Sequence, residues 1–231
     1  MLTETSRLAV PEITIGLFPD AGGTWSLGQM EPHIASFLGL TGSHINAADA
    51  LQCGWGNFVV PQDTREAVIE GIMALPFAGG DPHAVLDEYL SSQAQPELKP
   101  SQLAAIPQVQ PILDDMSAEV ARTLALSGQT DWIDKGVANL RNGCSTTAGI
   151  VVEQLRRVPE LSLADSYRLE LVIAHHCATN SDFQEGVRAL LIDKDNAPAW
   201  RFGSIENLNA DHVASHFEAP WDAHPLADLG A

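Results

Sequence analysis

The chain has 231 residues, 45% hydrophobic and 18% charged, a globular composition with enough length to bury a sizeable core in one domain or one and a half. Lys and Arg number 12 against 30 Asp and Glu, a formal charge of −18, so the surface repels phosphate backbones and anionic headgroups and argues against nucleic acid or membrane partners. Three cysteines, Cys53, Cys144 and Cys177, lie far apart without CxxC spacing, which speaks against a disulfide framework or a zinc site and suits reduced thiols in a cytoplasmic protein. No apolar run approaches the ~18 residues of a membrane span, and Met1 to Arg7 has no apolar core of a signal peptide.

In chain order, residues 8–15 (Leu-Ala-Val-Pro-Glu-Ile-Thr-Ile) read as a short β-branched strand, with Pro11 restricting it to an edge, a bulge or a strand end. Gly16 to Gly23 reads as a loop punctuated by Pro19 and the Gly22-Gly23 pair, and a helix is expected from near Thr24. Pro32 can open the next helix and Gly42 close it. Asn46 suits the N-cap of a helix over 47–52 that Gly54 stops. Asn57 to Val60 reads as a strand ended by Pro61. Beyond it, apolar periodicity predicts helices near 63–75, 82–92, 117–127, 130–141, 145–157, 162–178, 182–192 and 209–218. Two early strand candidates cannot form a stable sheet alone, which points to further strands upstream or on another chain.

The best local candidate for chemistry is the pair Glu12 and Asp20. Fully extended, the intervening stretch would span ~26–29 Å, but Gly16 and Pro19 predict a turn that brings both carboxylates to one cleft. Two nearby carboxylates can divide acid and base roles when their environments push their pKa values apart. The plainer alternative makes Asp20 a helix cap and Glu12 a solvated strand-end residue. Gly22-Gly23 could present backbone N–H groups to an oxyanion, or simply make a tight turn. His175, His176 and Cys177 are consecutive on a predicted helix and splay about 100° apart, so they read as packing and surface residues rather than metal ligands. No GxGxxG, P-loop or GxSxG pattern is present.

The run Pro11-Glu12-Ile13-Thr14-Ile15-Gly16-Leu17-Phe18-Pro19-Asp20-Ala21-Gly22-Gly23-Thr24 resembles the segment around the second catalytic carboxylate of the crotonase (enoyl-CoA hydratase/isomerase) superfamily. Asp20 narrows the resemblance to the 3-hydroxyisobutyryl-CoA hydrolase branch, because enoyl-CoA hydratases usually carry glycine there. Leu38 to Gly42 and Ala47 to Gly54 also look like the family. So does the C-terminal run Asp182-Phe183-Gln184-Glu185-Gly186-Val187-Arg188-Ala189-Leu190-Leu191-Ile192-Asp193-Lys194-Asp195 with Pro198 and Trp200, while 76–140 matches loosely.

The resemblance implies an α/β, crotonase-like fold: a β-spiral remnant in 1–60 carrying the catalytic loop, then a predominantly helical C-terminal region in 61–231. It implies a thioester hydrolase converting 3-hydroxyisobutyryl-CoA and water to CoA and 3-hydroxyisobutyrate in valine breakdown. Glu12 would be nucleophile or general base, Asp20 would hold the substrate's 3-hydroxyl, and Gly16 would join both in substrate binding. No metal or organic cofactor is implied, since CoA is part of the substrate. A homo-oligomer or an N-terminal partner fragment are the implied protein partners. In that family a large N-terminal region supplies most of the β-spiral, much of the CoA site and the oxyanion loop, so the isolated chain is expected to turn over below about 1 s⁻¹. The alternatives are an enoyl-CoA hydratase or isomerase, and a non-catalytic truncated subunit or half of a split enzyme.

Overall fold

A computed structural model describes residues 1–230. In chain order it contains strand β1 (Leu2–Thr3), a 3-10 turn over Pro11–Thr14, helices α1 (Gly23–Gly28), α2 (Pro32–Thr41) and α3 (Ala47–Gln52), and strand β2 (Val59–Val60). Helices α4 (Arg65–Met73), α5 (Pro82–Ser91), α6 (Met116–Leu124), α7 (Asp131–Asn142), α8 (Ser145–Arg157) and α9 (Leu163–Thr179) follow. Then come α10 (Ser181–Val187), continued as a π-helix over Arg188–Ile192, and α11 (Ala210–Ser215). Every helix read from apolar periodicity is present, most within two or three residues of the expected ends. Pro32 opens α2 and Gly42 is its C-cap, while Asn46 and Asp49 close a reciprocal capping box on α3.

The expected strand over 8–15 does not form. Only Leu8 pairs, in an antiparallel bridge with Ile45. Pro11 brings no N–H to a ladder, and the chain closes on itself instead: the Glu12 carbonyl accepts the N–H groups of Ile15 (3.0 Å) and Leu17 (3.2 Å). The second expected strand shortens from 57–60 to Val59–Val60 and pairs in parallel with β1, Leu2 opposite Val59 and Thr3 opposite Val60. Among the described residues this is a two-stranded sheet beside many helices.

By its contacts the chain divides into two compact units. One comprises Met1–Leu8 and Ile45–Leu103, the other Ala9–His44 and Ala104–Ala231. The first unit buries Val60, Val68 and Leu90 against Phe58, Ile72, Leu86 and Tyr89. Its polar anchor is Asp49, which is fully buried. The Asp49 carboxylate accepts the N–H groups of Asn46 (2.9 Å) and Gln102 (2.6 Å) and the Ser101 hydroxyl (2.8 Å), tying the 101–103 segment to α3.

The second unit is built on α8, of which ten residues are buried, so it packs on nearly all sides. Ile150 on α8, Ile173 and Cys177 on α9, Phe18 of the preceding loop and Val213 on α11 form its inner cluster. Buried Glu119 on α6 is satisfied by Arg122, the Ile112 N–H (2.8 Å) and the Ser36 hydroxyl of α2. All three cysteines are buried and unpaired. Among the described residues no helix is long and apolar enough to cross a membrane.

Replacing Asp49 with Ala would leave one buried and several part-buried donors without an acceptor, at a cost of up to ~1–3 kcal/mol for each group left unsatisfied. The Asp49→Ala chain is expected to lose about 3 kcal/mol in a urea melt. An exposed control, Glu66→Ala, should stay within ~0.5 kcal/mol of the parent.

Candidate functional site

The segment from Ile13 to Thr24 has little regular structure, so its peptide groups need partners from elsewhere. Helix α8 supplies them from one face. The Cys144 N–H at its N-cap donates to the Ile13 carbonyl (2.9 Å), and the Thr147 hydroxyl donates to the Leu17 carbonyl (2.6 Å). Two turns further on, the Gln154 side-chain amide donates to the Pro19 carbonyl (3.2 Å) and the Thr24 hydroxyl (2.6 Å). Phe18 points into the core between these anchors and is fully buried.

Helix α9 holds the end of the segment. Glu170, 4% exposed, accepts the N–H of Gly22 on Oε2 (2.8 Å) and of Thr24 on Oε1 (2.9 Å). The Gly23 N–H closes the tight turn onto the Asp20 carbonyl (2.7 Å). All three amides of the Gly-Gly turn are therefore engaged inside the protein, so of the two sequence-based readings of this pair the tight turn holds, capped by a carboxylate, and the oxyanion site does not.

Helix α10 makes the wall behind the segment. Gly16 is buried, and a side chain there would begin 2.6 Å from the Asp182 carbonyl oxygen and 3.0 Å from the Trp200 ring. Gly186, one turn along, packs so close that a Cβ would collide with the Ile15 carbonyl. Two backbones thus meet where only glycine fits. Asp182 is buried and accepts the Thr146 hydroxyl (2.7 Å) and the Arg201 N–H (2.7 Å), while the Trp200 indole N–H donates to the Asn142 carbonyl (2.9 Å). The Arg188 guanidinium bonds Glu185, Asp193 and Asp195, folding back the return after the π-helix and holding the Glu185 carboxyl down at about 2.

Within this frame Glu12 and Asp20 differ sharply. Glu12 is half-buried, and its Oε2 is buried with no hydrogen-bond partner. Loss of water around it pushes its carboxyl up to about 7, its own backbone N–H pulls the other way, and the negative charge of Asp20 adds to the rise. Asp20 is exposed. It does not cap α1, whose N-cap is Gly22 without a side-chain bond of its own. Neither carboxylate matches its plain structural alternative.

Other sequence candidates stay apart from this arrangement. The His175 ring packs edge-on against Trp221 (5.4 Å) and against His176 (5.4 Å), whereas His176 also faces His216 (5.7 Å) and bonds the Glu218 carbonyl, so the adjacent histidines serve packing. Sequence reading missed Glu170. The signal was present: Ser166, Glu170, Ile173 and Cys177 follow helical spacing and are all buried, and a carboxylate on such a face needs a polar partner.

A family model described as enoyl-CoA hydratase/isomerase matches residues 1–217. The 3-hydroxyisobutyryl-CoA hydrolase, mitochondrial, of Xenopus laevis is 28% identical over 218 residues, covering 93% of this chain and 56% of that protein. The Homo sapiens protein of the same name is 27% identical over 220 residues, covering 94% and 57%. The chain thus spans about half the length of these relatives. Among solved structures, a carnitinyl-CoA dehydratase from Mycobacterium thermoresistibile superposes with a TM-score of 0.79 at 26% identity, over 99% of this chain and 63% of that one. An enoyl-CoA hydratase from Rhodobacter sphaeroides 2.4.1 gives 0.74 at 25%, over 94% and 61%.

The elevated Glu12 carboxyl has a consequence for stability. Unfolding lets it return from about 7 to its ordinary 4.5, so between these values the folded chain holds a proton that the unfolded chain has released. The resulting destabilisation is absent below 4.5 and complete above 7. Glu12→Gln removes it. The expected gain at pH 8 is about 2 kcal/mol after allowing for partial exposure, or ~4–8 °C in Tm. At pH 4.5 no gain is expected, and equal Tm changes at the two pH values would contradict this origin.

Proposed function

The chain belongs to the enoyl-CoA hydratase/isomerase family, and we propose that within it the chain is an acyl-CoA thioester hydrolase of the 3-hydroxyisobutyryl-CoA hydrolase type. The observation that carries the proposal is Glu12: a carboxylate with a buried, unpartnered oxygen and a pKa near neutrality, flanked by a second, exposed carboxylate. A general base or nucleophile works best when its pKa lies near the working pH.

In the proposed reaction the ionised Glu12 carboxylate attacks the thioester carbonyl. The carbon–sulfur bond breaks, CoA leaves as the thiolate, and a mixed anhydride remains on Glu12; water then opens it, returning the Glu12 carboxylate and giving the acid, whose proton passes to the thiolate. The same carboxylate acting on water as a general base gives the same products. Asp20 accepts the hydrogen bond of the substrate's 3-hydroxyl and so fixes the acyl group. Gly16 is assigned to substrate binding through its backbone alone, since Asp182 and Trp200 fill the space of a side chain. The Gly22 and Thr24 amides, held by Glu170, receive no role in binding the oxyanion.

In this reading residues 1–60 carry the site and 61–231 form its helical continuation. The acyl preference for 3-hydroxyisobutyrate, the place in valine breakdown, a homo-oligomeric state and a cytoplasmic location are parts of the same proposal. The names of the curated relatives place those proteins in mitochondria. The solved neighbours named a dehydratase and a hydratase favour a second reading, hydration of an enoyl-CoA, which two carboxylates would also serve.

Incubation with 3-hydroxyisobutyryl-CoA and a thiol-reactive dye separates these readings. Slow CoA release is expected from the chain alone, below about 1 s⁻¹. It should fall as pH drops through about 7, because the ionised form of Glu12 is the active one. Glu12→Gln should abolish it, and undiminished release would remove Glu12 from the mechanism. Loss of the enoyl absorbance of crotonyl-CoA without CoA release would favour hydration.

A further inference from the structure

Glu170 stands out as a buried carboxylate that nothing in the proposed chemistry uses. It is 4% exposed and 146 to 148 residues from the amides it binds. Among the described residues it forms no ion pair. Its charge is met by the Gly22 and Thr24 N–H groups at the start of α1. Taking a carboxylate out of water is costly, and a Ser or Asn would satisfy a helix N-terminus at lower cost. What the carboxylate adds is a rigid two-point grip, since each oxygen holds one of two amides flanking Gly23.

That grip acts on Asp20. The Gly23 N–H between the two held amides bonds the Asp20 carbonyl (2.7 Å), so the turn carrying Asp20 is clamped from its far end. From the near side the Gln154 amide holds the Pro19 carbonyl (3.2 Å). Tyr167, one turn before Glu170 on α9, lies over Gly22 with its hydroxyl 3.0 Å from where a side chain there would begin. Asp20 itself is exposed and follows wherever the turn is held.

We propose that Glu170 is a positioning residue for Asp20: by gripping the Gly22 and Thr24 amides it fixes the 19–24 turn, and with it the direction from which Asp20 meets the acyl group held against Glu12. The inference rests on the hydrolase reading for its catalytic consequence, but its geometric content is separate. A displacement of about 1 Å at a reacting group can cost ~10²-fold in rate.

The test is a double-mutant cycle of Glu170→Gln and Asp20→Asn in the full chain, read in two ways. In CoA release, Glu170→Gln keeps the shape but turns an NH2 group toward one amide. It is expected to lower kcat ~10–100-fold with KM changed less than about three-fold. In the Asp20→Asn background it should cost less than about two-fold more. Glu170→Asp, which keeps the charge but reaches only one amide, should fall between and serves if the Gln variant does not fold. Equal losses in both backgrounds, or no loss, would overturn the proposal.

The second reading is the Glu12 titration midpoint by carboxyl NMR, which needs no turnover. Glu170→Gln should lower the midpoint when Asp20 is present and leave it in place in the Asp20→Asn background. The same shift in both backgrounds would also overturn the proposal. An Asp20→Asn chain that hydrolyses normally would defeat the hydrolase reading, and the titration would still decide the positioning role.

Discussion

An irregular segment can lie inside a protein only if other elements take over its peptide hydrogen bonds, and the structure around residues 13–24 follows from that constraint. Carbonyls at Ile13, Leu17 and Pro19 are taken by α8, and amides at Gly22 and Thr24 by α9. A bend carrying two carboxylates is thereby given the rigidity of two packed helices. The polar residues on the buried face of α8 follow from this demand: Thr147 and Gln154 would be unexplained in an apolar core without carbonyls to receive them.

Glu12 and Glu170 are both shielded from water, and the protein treats them in opposite ways. Glu170 has two amide donors and, among the described residues, no ion pair, so both its oxygens find partners. Glu12 has an oxygen facing no partner, beside the negative charge of Asp20. Its own backbone N–H offsets only part of the cost of that burial, so the position lowers stability. A residue held in this way has a free coordination direction, and a group that donates to it or accepts attack from it relieves the cost. The division between a half-buried carboxylate raised to about 7 and an exposed partner is the one that two carboxylates need for different tasks at one substrate.

The helical part of the fold was legible because its burial is one-sided or periodic: α7, with Ile133, Val137 and Leu140 inward, announces itself in the spacing of its apolar residues. The strand expected over 8–15 was not found, since β-branched composition says nothing about where hydrogen bonds go once Pro11 removes a donor and Glu12 folds two N–H groups onto its own carbonyl. Glu12 and Asp20 were singled out from the bend between them, but the bend's true fastening was invisible. Glu170 lies far along the chain, and its partners are backbone amides, which carry no residue-specific signature. The choice between an oxyanion site and a tight turn at Gly22-Gly23 stayed open for the same reason.

The same logic accounts for the second motif at the other end of the chain. Asp182 to Trp200 has no titrating partner in the proposed chemistry, yet its backbone lies against Gly16 and Ile15 with no room for a side chain at Gly16 or Gly186. Ile15 in turn donates its N–H to the Glu12 carbonyl (3.0 Å), so a shift of α10 is passed directly to the backbone of Glu12. Asp182, tied to Thr146 at the start of α8 and to Arg201, locks α10 to the helix that clamps the carbonyls. Motifs about 170 residues apart in sequence are thus one physical object: a bend that cannot hold its own shape, and the backbone wall that holds it.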